Sequence, residues 1–251
     1  MANPTGSLSA VGARVPRQQG RPPLPDGHPR LGLALQALLV IDVLVGLAAV
    51  GIQVWSVVTV SAMRVDPDSV TDRTVMWLDL SVLGVRGAAL LAFAATAVTL
   101  LPWLHQAYTA REVDEDALRH EPAWALAGWF VPVLSWFYPV EVMLDLLRGA
   151  CPRERSLPRW SHWVAVGWWG AFHAGYALLY LALWIERALD PVAPDALDQL
   201  TDASWLAGVG WALGAVSAGL LLVLVRRITL ELRASTALVL TSTHANAHRG
   251  G

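Results

Sequence analysis

Five long apolar stretches, separated by shorter polar ones, dominate this chain. Residues 31–58 are 28 positions with a single charge, Asp42, and residues 80–104 are 25 positions with a single charge, Arg86. Residues 123–140 (18), 160–185 (26) and 203–225 (23) contain no Asp, Glu, Lys or Arg. About 20 apolar residues cross a bilayer as a helix, so four of the five stretches are long enough to span. Within lipid they must be helical, because the hydrocarbon offers backbone N–H and C=O groups no other partner.

The third stretch is short and broken. Pro132 and Pro139 each remove a helix hydrogen bond and crowd the preceding turn. Beyond Pro139, Glu141, Asp145 and Arg148 recur at i, i+4 and i+7 as one polar stripe, with Val142, Met143, Leu146 and Leu147 off it. Pro139 suits the first turn of such a helix and Gly149 its stop. The pattern predicts a short amphipathic helix lying in the headgroup plane, preceded by a piece too short to cross. Residues 123–149 therefore read as a Trp/Pro-rich re-entrant or interfacial hairpin that turns at 135–138.

The arginines distinguish four crossings from five. If residues 123–140 span, the two sides carry 7 and 10 arginines, with almost no bias. If they do not, the sides carry 14 and 3, with Arg86 left inside a helix. Arginine excess marks the cytoplasmic side, so the pattern predicts four spans, about 31–58, 80–104, 160–185 and 203–227, with both termini cytoplasmic. Residues 1–30, with six prolines, four glycines and four arginines, read as a disordered cytoplasmic arm. Residues 31–232 form the membrane domain and residues 233–251 a cytoplasmic tail. A cleavable signal peptide is not expected, since the first apolar run is too long and no A-x-A-like site follows it.

Composition agrees. The 251 residues are 55% hydrophobic and 15% charged, against about 45–50% and 25% in soluble domains. A net charge of −2 supplies no basic footprint, so no nucleic-acid partner is expected. One cysteine, Cys151, excludes an internal disulfide framework. Thirteen tryptophans suit membrane-interface belts. Trp55, Trp77, Trp184 and Trp205 fall at the predicted outer ends of spans, and Trp103, Trp160 and Trp163 at the inner ends.

Several of these residues together resemble a bacterial membrane family. They are Trp103-Leu104, Trp124-Ala125, Gly128-Trp129-Phe130-Val131-Pro132, Tyr138-Pro139 with the stretch to Arg148, Trp168-Trp169, and Val225-Arg226-Arg227-Ile228-Thr229. The family is the domain of unknown function numbered 4328, common in actinobacteria, and the resemblance covers roughly residues 31–232. It implies a membrane location and no biochemical activity. Two positions depart from the family pattern. The stretch His105 to Arg111 lacks the family's arginine-and-asparagine-rich composition, and Leu147 stands where tryptophan is frequent.

Candidate chemistry is sparse. Asp42 lies eleven residues into the first span, and a charge near the midplane costs at least ~2.5–3.5 kcal/mol on insertion scales. His173 lies at similar depth on a stripe with Trp169, Tyr176, Tyr180 and Trp184. Facing Asp42, that stripe makes a proton or cation site; the plainer alternative is a polar contact that fixes helix packing. Arg86 either snorkels to the acidic outer surface or pairs with Asp42. Glu141 and Asp145 read as the wet face of the interfacial helix. His120-Glu121 lacks a second His four residues on, and Ser217 lacks a nucleophile elbow. Gly208, Gly210, Gly214 and Ala218 indicate close helix packing. His244 and His248 alone make a weak metal pair.

The sequence thus predicts an all-α, polytopic inner-membrane protein with four transmembrane helices and a hairpin built on Trp124, Trp129, Phe130, Pro132 and Pro139. The leading functional expectation is a non-enzymatic membrane interaction or regulatory module, partnered by the bilayer and by a second copy or another membrane protein. The alternative is a small solute, proton or cation transporter or channel using Asp42 and His173. No catalytic residue, cofactor or metal is expected.

Overall fold

The computed structural model describes residues 20–151, 158–190 and 192–247, with side chains to residue 236. All regular elements among them are helical. Four are long: α1 (His28–Val65), α2 (Asp72–Thr109), α5 (Arg159–Ala188) and α6 (Ala196–Ala247). Two are short: α3 (Pro122–Ala127) and α4 (Tyr138–Ala150). Three helices, α1, α2 and the 196–236 part of α6, are long and apolar enough to cross a membrane. In α5 the many Trp, His, Tyr and Gly residues hold the hydropathy below that of the other three, although 160–185 is uncharged.

The helix boundaries follow from local chemistry. Pro29 sits in the first turn of α1, where a missing N–H is harmless, and lets the helix start at His28 instead of the expected Leu31. Thr71 caps α2 by accepting the Thr74 N–H. Pro139 opens α4 and Gly149 lies in its last turn, as the sequence predicts. The chain beyond residue 232, expected as a separate tail, continues as the same helix to Ala247.

Helix α6 is the axis of the bundle. It packs along α5 on one side and α1 on the other, and α1 in turn packs on α2. Small residues let these backbones approach. A Cβ on Gly46 would lie 3.0 Å from the Ala215 Cβ, and one on Gly175 would lie 2.9 Å from the Gly210 carbonyl oxygen. Of the expected small-residue stripe of α6, Gly210 lies at such a close approach, Gly214 has open space where a Cβ would go, and Ala215, outside that stripe, meets Gly46.

The long helices turn large apolar side chains outward: Leu44, Leu83, Leu90, Leu91 and Val98 are 60–73% exposed. Water tolerates contiguous patches of this kind poorly, whereas lipid solvates them. The main buried core lies toward one end. There α3, α4 and the connecting turns form a platform against the last turns of α2, the start of α5 and the second half of α6, from Leu221 to Leu232.

Candidate functional site

The platform is assembled around a buried carboxylate. Helix α4 inserts Val142, Met143, Leu146 and Leu147 into the core, all at 0% exposure, together with Asp145, also at 0%. Asp145 Oδ2 accepts from the Arg119 backbone N–H (3.0 Å) and from His120 Nδ1 (2.9 Å). The Tyr108 hydroxyl approaches the same oxygen at 3.5 Å and donates to the His120 carbonyl at 3.1 Å. Arg148 reaches Oδ1 at 3.0 Å. The other ring nitrogen of His120, Nε2, lies 3.1 Å from Glu141, and the ring packs on Tyr138 with centroids 4.6 Å apart.

This corrects the expected wet face. Glu141 is half exposed, but Asp145 is sealed inside, one helical turn on. The stripe of α4 faces the loop 110–121, which folds over it and supplies Arg119 and His120. The i, i+4 spacing of two carboxylates therefore marked a docking seam. Tyr108 and His120 were missed because they contribute through partners distant in sequence; the flanking Met143-Leu144 and Leu146-Leu147, apolar on both sides of Asp145, were the available signal.

Part of the N-terminal segment is docked here as well. Leu24 N–H donates to the buried Glu112 carboxylate (3.1 Å), Arg111 N–H to the Pro22 carbonyl (3.0 Å), and Arg21 to the Tyr108 carbonyl (3.3 Å). Residues 21–30 were expected as part of a solvated arm; they instead lie against the end of α2. Residues 1–19 fall outside the described residues.

The hairpin residues divide between support and surface. Trp129 packs on Trp168 and Trp169 (6.3 and 6.0 Å between centroids), and Pro139 is buried. Trp124 and Phe130 are exposed, as is Pro132. The turn is pinned to α5: Trp169 Nε1 donates to the Trp136 carbonyl at 2.7 Å, and the Trp136 ring lies 4.7 Å from that of His173. Phe130, Val133, Trp136 and Phe137 form an outward apolar edge at 58–73% exposure.

The two expected midplane groups are not joined. Asp42 accepts the Thr96 hydroxyl of α2 at 2.6 Å, whereas His173 turns Nδ1 to the Trp169 carbonyl at 3.0 Å. Among the described residues no hydrogen bond or ion pair links them. Tyr176, Tyr180 and Trp184, expected to face Asp42, point outward at 61–65% exposure. Arg86 does not pair with Asp42: one guanidinium nitrogen reaches both oxygens of Glu186 on α5, at 2.7 and 2.8 Å, which agrees with the expected reach toward the acidic residues beyond the span. His248 lies outside the described residues, as does the side chain of His244. Among the described residues no group of three or more His, Cys, Asp or Glu is placed to hold a metal ion.

The model of a domain of unknown function (DUF4328) matches residues 66–230. That stretch contains α2 to α5 and most of α6, with the whole platform and the Arg86–Glu186 pair. The chain belongs to the DUF4328 family. No match was found among curated proteins or among solved structures. The match begins after α1, so the Asp42–Thr96 contact joins one residue outside it to one inside. Family membership supplies no activity.

Proposed function

We propose that this protein is a non-enzymatic interaction or regulatory module of the bacterial inner membrane. Helices α1, α2, α5 and α6 cross the bilayer, both termini are cytoplasmic, and the platform lies on the cytoplasmic face with its hairpin at the interface. The single observation that carries this reading is the platform's two-sided construction. Its inner side is locked by the Asp145 cluster, while its outer side presents Phe130, Val133, Trp136 and Phe137.

A rigid base under an exposed aromatic edge suits docking on headgroups and on a neighbouring membrane protein. The cluster itself suits a clamp. The Asp145 carboxylate is fully buried and accepts from Arg119, His120 and Arg148, so it does not face a space open to a substrate. The crossing number is supported by the opposite end. There Arg64 at the end of α1 pairs with Asp198 and Thr201 at the start of α6, so the end of α1 and the start of α6 lie together.

A photo-crosslinking amino acid at Phe130 and at Trp136, expressed in native membranes, tests the docking role. The expected result is lipid adducts plus one discrete protein adduct from these positions and none from buried Leu146. Lipid adducts without a protein adduct from either position would reject an interaction module.

A further inference from the structure

At the end opposite the platform, a cavity of about 390 Å³ opens between α1, α2, α5 and α6. This is within the range of small-molecule sites, roughly 300–1,000 Å³. One wall is aliphatic, from α2. The other carries Gln53 and Ser56 of α1 with Ser204 of α6, and Asp79, Arg86 and Glu186 complete the lining. Gln53 is only 4% exposed, yet its amide makes no hydrogen bond to any described residue, and it borders the cavity.

Which chemistry fits follows from counting donors and acceptors. Ser204 Oγ donates to the Leu200 carbonyl at 2.9 Å, so in the Ser56–Ser204 hydrogen bond (3.0 Å) Ser56 is the donor. The Ser56 oxygen is thereby left as an acceptor. The Arg86 guanidinium, the one cationic group of the lining, is engaged by Glu186. Asp79 forms no ion pair among the described residues and is exposed at the mouth. The Gln53 amide offers two N–H donors and one acceptor, the Ser56 oxygen offers an acceptor, and the lining carries one net negative charge. No lining residue is aromatic, so the cage that favours quaternary ammonium is absent.

We infer that this cavity binds a small primary amine, its ammonium held at Asp79 and its body extending along the aliphatic wall of α2 toward Gln53. Gln53 lies ten residues below Met63, about 15 Å along α1 at 1.5 Å per residue, which leaves room for a short chain with a second polar group. The site is separate from the platform, so it stands or falls independently of the docking role. The shared chemistry, a primary ammonium on a short polar body, is carried by a free amine or by an ethanolamine headgroup.

The test is calorimetric titration of the full-length, detergent-purified chain with 4-aminobutan-1-ol. The charge-reversed 4-hydroxybutanoate serves as control. The expected result is saturable binding of the amine alone, weakened about tenfold by Asp79→Asn, a loss equivalent to ~1.4 kcal/mol. Gln53→Glu, of similar size and with a stronger acceptor, should tighten binding several-fold with the melting temperature preserved. Greater thermal stability in phosphatidylethanolamine than in phosphatidylcholine nanodiscs, removed by Asp79→Asn, would assign the ammonium to lipid. Absence of saturable amine binding together with no such lipid preference would overturn the inference. So would equal binding of the anion, or an amine affinity indifferent to both substitutions.

Discussion

Asp145 sits in an environment that its sequence neighbours only partly foretell. Its stripe with Glu141 and Arg148 is plain in the sequence, but its burial depends on the 110–121 loop, whose fold no local periodicity encodes. Removing one member of a buried, hydrogen-bonded charge cluster typically destabilises by about 3–5 kcal/mol. Asp145→Ala should therefore lower the unfolding midpoint in detergent by many degrees, whereas Glu141→Gln, at a half-exposed position, should change stability by less than ~1 kcal/mol. Equal midpoints for the two variants would show that Asp145 is not the keystone. Asp42 is the opposite case. Its oddity is evident from one charge in 28 apolar residues, but its partner, Thr96, is one of many unremarkable threonines. Asp42→Asn keeps an acceptor for the Thr96 hydroxyl, and an interhelical hydrogen bond in a membrane averages ~0.6 kcal/mol. Membrane accumulation of that variant should match the parent, and its collapse would show that the charge itself is required.

At the scale of elements, helix existence was legible and helix partnership was not. Length and hydropathy announce α1, α2 and α6; Pro139 and Gly149 bracket α4. Which faces meet is decided by small residues whose role shows only in pairs, such as Gly175 against Gly210. The aromatic stripe of α5 looked like the lining of a site because i+3/i+4 spacing shows that residues share a face and says nothing of where the face points. Here Tyr176, Tyr180 and Trp184 face outward, and His173 is turned to the hairpin. Gly175→Leu would drive a side chain into the α6 backbone and should break the α5–α6 seam, measured as loss of folded protein in detergent gel filtration. Gly170→Leu on the same helix meets open space and should be tolerated. If both variants behave alike, close packing at Gly175 is not what holds the two helices.

Across the whole molecule, the two ends differ in kind. One end is a packed platform of Trp, Tyr and a buried ionic cluster; the other is looser, with a polar cavity and the Arg64–Asp198 and Arg86–Glu186 pairs across helix gaps. At 1.5 Å per residue α1 and α2 are each about 57 Å long and exceed the ~30 Å hydrocarbon core, so their ends reach past the membrane to meet these structures. The sequence sorts its arginines 14 to 3 under the four-crossing reading, which bears on the end that would face the cytoplasm under the proposed topology. It did not foretell that residues 21–30 are strapped to the platform, because the Leu24–Glu112 and Pro22–Arg111 contacts join positions nearly ninety residues apart.

The central claim is that four helices cross and the α3–α4 platform does not. Single cysteines at Ser69 and at Ala193, in a Cys151→Ser background, test it by labelling of intact cells with a membrane-impermeant maleimide. The two loops must lie on the same side if α2 and α5 both cross and nothing between them does. Labelling of both from outside, with a cysteine at exposed Glu121 labelled only after permeabilisation, is the predicted result. Protection of one loop and labelling of the other would mean three or five crossings, and would contradict the account.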